Sequence, residues 1–324
     1  LEIIQNEIDM SQMNLPWVES PFFSDIIKTK NISEEDKKIA SEYYENGFIV
    51  INNIFSNELI DKVKSEMNEK GFNENFPIQT FRNNIRIQDL WQYSDAVKEL
   101  ACHPKIIDTL KMLYEREPVP FQTLNFKVGT QQKAHSDTLH FSSLPARYMC
   151  GVWVALEDIT EDNGPLFYYP GSHRNPEYNF SDFKNTTEDI SYENYPEYET
   201  FMEDLMEKSA YKKKKFLAKK GDVLIWSSNI IHGGSPVEDP QSTRYSQVTH
   251  YYFENCIYYT PMLSNMVTKE LFIRRNLVDI KTGKIVEQNF NGNVAQLVRT
   301  RGSLYAINNH IKLPKILRFL ASKL

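Results

Sequence analysis

The segment QQKAHSDTLHF holds His135 and Asp137 one residue apart. On an extended strand, positions i and i+2 face the same side. An imidazole and a carboxylate so placed converge on one point. Two such groups leave a metal underbound, so a third ligand has to come from elsewhere. His232, in GDVLIWSSNIIHGGSP, is the best placed. It ends an apolar, strand-like run and precedes Gly233 and Gly234, where another backbone can approach closely. Two histidines and one carboxylate on one face form the facial triad of non-haem Fe(II) oxygenases, which leaves positions open for other ligands. A lone H-x-D is common, however, and a strand histidine is more often packed or hydrogen-bonded than metal-bound. At this point the structural role stays open beside the metal-binding one.

Arg244 lies twelve residues beyond His232, at the start of the next strand-like run, RYSQVTHYYFE. The intervening GGSPVEDPQS reads as a loop, and a hairpin-like return brings Arg244 back beside His232. A guanidinium suits the far carboxylate of a dicarboxylic acid through a bidentate pair. That is what 2-oxoglutarate requires while its keto-acid end chelates iron. A surface salt bridge is the plainer use of the same residue.

These groups need elements to carry them. The chain has 324 residues, with hydrophobic residues at 41% and charged residues at 25%, the balance of a globular protein. A helix is predicted from Ser33, which caps SEEDKKIASEYYENG, to Gly47, which stops it. FIVINNIF (48–55) reads as a short strand, Ser56–Lys70 as a second helix ended by Gly71, and 95–116 as a third around His103-Pro104. From 119 to 260 the apolar period is mostly two, with Gly and Pro punctuation, as in FQTLNFKVG, RYMCGVWVALED, GPLFYYPG and GDVLIWSS. The reading is α+β with a mainly β core. It divides one domain, residues 1–324, into a helical N-terminal region (1–118), a β core (119–260) and a helical C-terminal region (261–324). Residues 174–211 interrupt the core as a long, acidic, tyrosine-rich loop, the kind that serves as a lid. Its acidity hints at a cationic or neutral substrate. The run Lys212–Lys215 that follows reads as a solvated charge cluster.

The combined pattern resembles the phytanoyl-CoA dioxygenase family of Fe(II)- and 2-oxoglutarate-dependent oxygenases, which includes ectoine hydroxylase. The resemblance rests on WVALEDITEDNGPLFYYPGSHR, with Asn163-Gly164-Pro165 and Pro170-Gly171-Ser172-His173, and on GDVLIWSSNIIHGG followed by Arg244. It covers roughly 120–255, with a weaker echo in YYENGFIVINNIFS. It implies a double-stranded β-helix, a cupin-like jelly roll, flanked by N-terminal and C-terminal helices. It implies His135, Asp137 and His232 as iron ligands and Arg244 as the anchor of 2-oxoglutarate, with O₂ as the other co-substrate. Trp153 sits where the family places an aromatic against the co-substrate, and Asn125 resembles its polar residue on the preceding strand. Some members carry a hydroxyl two positions after the distal histidine. Gly234 stands there, so Ser246 or Thr138 is expected to supply that hydrogen bond. Gln132, His140 and His250 are candidates to line the substrate pocket. Halogenating relatives replace the metal carboxylate with a small residue, so Asp137 favours hydroxylation of an unactivated C–H bond of a small molecule, with release of succinate and CO₂. A cupin-like metal-dependent isomerase and a catalytically silent binding protein are the competing classes.

A net charge of −6 gives no footprint for nucleic acid. Three widely spaced cysteines, with no C-x-x-C pair, predict neither a disulfide framework nor a thiolate zinc site. With no basic, apolar-cored leader visible, the expectation is cytoplasmic. IKLPKILRFLASKL, at the C-terminus, places Leu313, Ile316, Leu317, Leu320 and Leu324 on one helical face, with Lys315, Arg318 and Lys323 elsewhere. Such a basic amphipathic helix docks on its own domain or a sister subunit, or makes weak peripheral contact with a membrane.

Overall fold

The computed structural model describes residues 13–72, 80–81, 86–184, 191–300 and 302–307. After α1 (Phe23–Thr29), α2 (Glu34–Asn46) begins where the Ser33 hydroxyl accepts from the Asp36 N–H, and ends at Gly47 in the left-handed conformation. β1 (Phe48–Ile51) and α3 (Asn57–Glu66) follow, and Met67–Gly71 widens into one π-helical turn. Short strands β2 (Thr80–Phe81) and β3 (Arg86–Gln88) come next. The helix expected over 95–116 is two helices, α4 (Asp95–Ala101) and α5 (Pro104–Tyr114). Pro104 starts the second and keeps His103 out of helical geometry.

The core strands are β4 (Pro118–Phe126), β5 (Ser142–Leu144), β6 (Met149–Ala155), β7 (Leu166–Tyr168), β8 (Lys214–Lys215), β9 (Val223–Ser227), β10 (His232–Gly234), β11 (Ser246–Phe253) and β12 (Ile257–Tyr259). They form a seven-stranded sheet in the order β1-β9-β6-β11-β4-β3-β2 and a three-stranded sheet in the order β10-β7-β8, while β5 pairs with β12. All pairings are antiparallel.

The large sheet is covered on both faces. One face sends Val152, Val154, Val223, Ile225 and Tyr251 against Leu100, Ile106, Leu110 and Ile60 of the helices. The other sends Leu124, Trp153, Leu224 and Val248 against Leu166, Tyr168 and Phe216 of the small-sheet layer. Burial on both faces explains why β6 and β9 read as continuous apolar runs.

Residues 174–211 are not the long loop expected from composition. They carry α6 (Phe180–Phe183) and α7 (Tyr195–Lys208). Tyr195, Tyr198, Met202 and Met206 form a buried stripe at helical spacing, packed with Ala134, Leu139, Phe167 and Tyr169. The acids of α7 lie on its solvent side, where Glu197 pairs with Lys184 and Glu203 with Lys133. Lys214 and Lys215 are exposed, as a solvated cluster should be.

The segment beyond 261 was expected to be helical. Among the described residues it holds a 3-10 turn (Pro261–Leu263) and short hairpins instead. Asn289–Phe290 pairs with Asn293–Val294 around Asn291-Gly292, both with positive φ, the turn that Asn-Gly specifies. The C-terminal amphipathic stretch lies outside the described residues. Among the described residues no helix is long and apolar enough to cross a membrane.

The packed stripe makes α7 part of the fold. Met202→Ala should cost about 2–5 kcal/mol of the docking of α7, as large-to-small core changes do. Hydrogen exchange across 195–208 should be slow in the wild type and faster in the variant. Fast exchange in the wild type would show a loosely attached segment.

Candidate metal centre

His135 and Asp137 do converge, though not on a regular strand. His135 makes an isolated two-way backbone bridge with His232: its N–H donates to the His232 carbonyl (2.9 Å), and the His232 N–H donates back (3.0 Å). Ser136 is extended, and Asp137 opens a 3-10 turn, Asp137–Leu139, capped by the Ser136 hydroxyl. Nor does His232 end β9. That strand stops at Ser227, the chain turns, and His232 begins β10 in the other sheet.

The turn is held by side chains. The Asn229 amide donates to the carbonyls of His173 (3.0 Å) and Asn175 (2.7 Å), and its Oδ1 accepts from the Ser136 and Thr138 hydroxyls (each 3.2 Å). The Ile231 N–H donates to the Ser172 hydroxyl (2.9 Å). The PGSH segment is therefore the strut that delivers His232 to the bridge. His173 itself donates from Nε2 to the Tyr44 carbonyl and stands away from the cluster. A Cβ on Gly233 would come within 2.5 Å of the Phe167 ring and 2.6 Å of the Gln132 carbonyl, so the close approach needs glycine.

The candidate ligand atoms of His135, Asp137 and His232 lie within 4.8 Å of one another, and all three residues are buried. The His135 Nδ1–H donates to the Lys133 carbonyl (2.9 Å) and the His232 Nδ1–H to the Ile230 carbonyl (3.1 Å). A carbonyl can only accept, so each ring carries a proton on Nδ1 and turns Nε2 towards the cluster, where a metal would bind. Burial, helped by His232, pushes the His135 imidazole down to about 3, so it is neutral at pH 7. Burial pushes the Asp137 carboxyl up, but His232, His250, His135 and the Trp226 hydrogen bond outweigh it and hold it below its usual value. A neutral imidazole at His135 and an ionised carboxylate at Asp137 belong to the donor set a divalent cation needs. Gln132 donates to His135 Nε2 (3.2 Å) and to the Tyr195 hydroxyl (3.1 Å), tying α7 to the centre.

Trp226 was not among the residues singled out from sequence. Its indole N–H donates to Asp137 Oδ2 (2.9 Å). Gly151 lies opposite in β6, where a Cβ would meet that ring at 2.3 Å. The parity of Trp226 with Leu224 in VLIWS placed it on the inner face. Only the fold showed that it reaches Asp137.

The cluster opens into a cavity of about 620 Å³. Arg244 lines it, buried, with its N–H donating to the Lys127 carbonyl and the preceding Thr243 carbonyl held by the Asn163 amide. Its guanidinium lies 5.7 Å from the Trp153 ring and 5.8 Å from Phe126. Its Nη atoms make only long contacts to Ser246 Oγ and the Val128 carbonyl (each 3.4 Å), its Nε has no partner, and no carboxylate pairs with it among the described residues. Burial lowers its pKa to about 10, with Glu157 opposing, so it stays charged.

Trp153, Gln132, His140 and His250 also line the cavity, and Ser246 meets Arg244 beside it. Asn125 does not line it. Its amide donates to Gln247 on the helix-facing side of the sheet (3.1 Å), because strand parity turns it away from Leu124 and Phe126. Thr138 is likewise turned into the Ser136–Asn229 network. Arg86, Gln88, Gln122 and Arg274 were not anticipated. Arg274 comes from the region expected to be helical.

The phytanoyl-CoA dioxygenase family model matches residues 43–244. A zebrafish (Danio rerio) phytanoyl-CoA dioxygenase domain-containing protein 1 is 35% identical over 88 residues, 26% of this chain and 30% of that protein. The chain thus spans about a third of that relative's length. The peroxisomal phytanoyl-CoA dioxygenase of Rattus norvegicus is 24% identical over 281 residues, 77% of this chain and 75% of that protein. Among solved structures, the non-haem α-ketoglutarate-dependent epimerase SnoN of nogalamycin biosynthesis superposes with a TM-score of 0.55 at 14% identity, covering 85% of this chain and 99% of that one. Iron-bound EctD from S. alaskensis gives 0.51 at 20% identity, covering 68% and 77%. At these identities the structures speak to the fold alone.

Trp226→Phe keeps the ring and removes the donor to Asp137. Fe(II) affinity is expected to fall about 10–100-fold, as when a partner of a metal ligand is lost. Unchanged affinity in anaerobic titration would remove the indole from the centre.

Burial also holds His140, His250 and His173 near 4, below the usual 6.5, with Asp137 partly opposing for the first two. Between these values the unfolded chain binds more protons than the folded one. Stability is therefore complete above about 6.5 and falls as pH drops towards 4, by up to about 1.4 kcal/mol per pH unit for each histidine. Urea midpoints of the metal-free protein should fall across that window, and a flat profile would contradict the assignment.

Proposed function

The chain belongs to the phytanoyl-CoA dioxygenase family, and on that premise we propose that it is an Fe(II)- and 2-oxoglutarate-dependent dioxygenase that hydroxylates an unactivated C–H bond of a small molecule. Members of this family are 2-oxoglutarate-dependent oxygenases. The observation that carries the reading is Arg244: a buried guanidinium with no carboxylate among the described residues, in the same cavity as the two histidines and the aspartate. A buried charge of this kind calls for an anionic partner, and the far carboxylate of 2-oxoglutarate fits it. The donor set fits Fe(II), which two imidazoles and one carboxylate hold with positions to spare. The two sheet layers, read as a double-stranded β-helix with the helices around it, make one oxygenase domain.

When bound, iron and 2-oxoglutarate supply an oxidative decarboxylation that releases succinate and CO₂ and puts one oxygen atom of O₂ into the substrate. The rest is the work of the chain. His135, Asp137 and His232 hold the metal, while the Lys133 and Ile230 carbonyls keep both Nε2 atoms turned inward. The Trp226 indole fixes the carboxylate. Arg244 anchors the co-substrate between Trp153 and Phe126, and Ser246 is the hydroxyl beside it. Tyr195 and Gln132 close the cavity on the α7 side and limit water. A metal-dependent isomerase would have no use for Arg244, and a silent binding protein would release no succinate.

Arg244→Gln is expected to lose about 2–5 kcal/mol of 2-oxoglutarate affinity, the usual result of truncating one partner of a buried charge pair. Fe(II) affinity should stay unchanged. Anaerobic calorimetry measures both, and succinate release with a product heavier by one oxygen atom checks the reaction. Equal co-substrate affinity in variant and wild type would refute the assignment of Arg244.

A further inference from the structure

The charges already assigned in the cavity neutralise one another. Iron(II) and Arg244 carry positive charge, Asp137 and 2-oxoglutarate negative, and the formal balance is zero. Two more arginines, Arg86 and Arg274, line the same cavity, and among the described lining residues Asp137 is the only acid. No acid of α7 lines the cavity, and Glu197 and Glu203 pair with Lys184 and Lys133 instead. Among the described lining residues Arg274 therefore adds a positive charge at the substrate end, opposite to what the acidic composition of 174–211 suggested.

Arg274 is held by two rings and one hydroxyl. Its guanidinium lies 4.9 Å from the Phe141 ring centre and 5.4 Å from Phe121. One Nη donates to the Thr260 hydroxyl (3.3 Å), and its Nε has no partner. No carboxylate pairs with it among the described residues. Asp89 is near enough to interact with it. Its carboxylate, however, accepts from the Thr123 N–H (3.1 Å), the Trp91 indole (3.2 Å) and the Gln88 amide (3.4 Å). The planar cation is thus pre-oriented by two aromatic faces, with donor capacity to spare.

Position separates this charge from the co-substrate anchor. Arg244 lies beside Phe126 and Arg274 beside Phe121, five residues apart along β4. At the rise of a strand that is at most roughly 16 Å, shortened somewhat by the bulge at Phe121. One dicarboxylate held by Arg244 and chelated to the metal leaves Arg274 for another molecule. The Phe141 ring also lies 4.9 Å from that of His250, whose Nε2 lies 3.8 Å from Asp137, so Arg274 borders the reacting region. Arg86 and Arg274 both act on the Tyr192 phenol, which places the two charges around one part of the cavity.

We infer that the substrate carries an anionic group, a carboxylate or a phosphate, seated by Arg274 with Arg86 beside it, so that its reacting C–H faces the metal. Gln88, Gln122 and Arg274 also line an adjacent hollow of about 620 Å³, which gives room for a substrate longer than the anion itself. The inference rests on the oxygenase reading of the site and names the substrate class for it.

The test is equilibrium binding. Protein loaded with 2-oxoglutarate and redox-silent Mn(II) is titrated with inorganic phosphate, with butyrate, hexanoate and octanoate, and with the amides of those three acids. Tryptophan fluorescence or calorimetry reads binding. At least one anion should bind, and any acid that does should bind about tenfold or more tightly than its amide, with an affinity that weakens as salt is raised. Arg274→Gln should lose about tenfold or more of that affinity while 2-oxoglutarate affinity stays unchanged, and Arg274→Lys should keep part of it. Binding by phosphate alone identifies a phosphoester substrate, and binding by acids alone a carboxylic acid. Equal affinity for acids and amides, no anion bound while 2-oxoglutarate binds, or an unchanged Arg274→Gln variant overturns the inference. Failure of 2-oxoglutarate to bind the wild type overturns the oxygenase reading, and the inference with it.

Discussion

The two-way backbone bridge between His135 and His232 is the constraint on which the rest of the site depends. It joins segments nearly a hundred residues apart in sequence and puts both imidazoles on one side of the same short ladder. Each ring is then turned by a carbonyl two residues before it, Lys133 for one and Ile230 for the other. The inward turn of both Nε2 atoms follows from backbone geometry, with no further side chain needed to orient the rings. Such local regularity is possible because Gly233 and Gly234 let β10 lie close to the loop at Gln131–Gln132 and to Phe167.

Keeping that bridge in place occupies much of the surrounding sequence. Asn229 ties the turn before His232 to the 173–175 segment on one side and to the Ser136 turn on the other. Asn163 holds the carbonyl just before Arg244. Buried polar groups of this kind are costly unless fully paired, and a paired network specifies one arrangement. The motif residues around Asn163-Gly164-Pro165 and the PGSH turn thus act as struts for the candidate ligands and for Arg244. Glu19, deep in the same region, accepts from the Ser227 hydroxyl (2.7 Å) and pairs with Arg147, which also donates to the His173 carbonyl (2.7 Å). It fastens the N-terminal segment of the chain to the end of β9.

Electrostatics separates two ends of one cavity. Near Arg244 the walls are Trp153, Phe126, Leu166 and Val248, a dry setting in which one charge–charge contact counts for much. Near Arg274 the walls are Gln88, Gln122, His140 and Tyr192, a polar setting suited to selecting a substrate by hydrogen bonds. The packed helix α7 closes one side of this polar end through Tyr195. Its acids, which dominate its composition, take no part in the cavity.

By itself the sequence supplied the candidate groups, because the H-x-D spacing, the distal His232 and Arg244 are facts of residue type and position. The family, the β core between 119 and 260 and the capped helix after Ser33 were legible for the same reason. Two signals were present and misread. The stripe Tyr195, Tyr198, Met202, Met206 marks α7, and Asn291-Gly292 marks a hairpin where helix was expected. Other features had no local signal. Asn125 and Thr138 face away from the cavity because strand parity and a hydrogen-bonded turn aim them elsewhere. Trp226 reaches Asp137, and Arg274 reaches Phe141, only because sheet register and the course of the 261–307 segment bring them there. Which buried charge ends up unpaired depends on every neighbour that could have paired with it, and those neighbours meet only when the layers are packed.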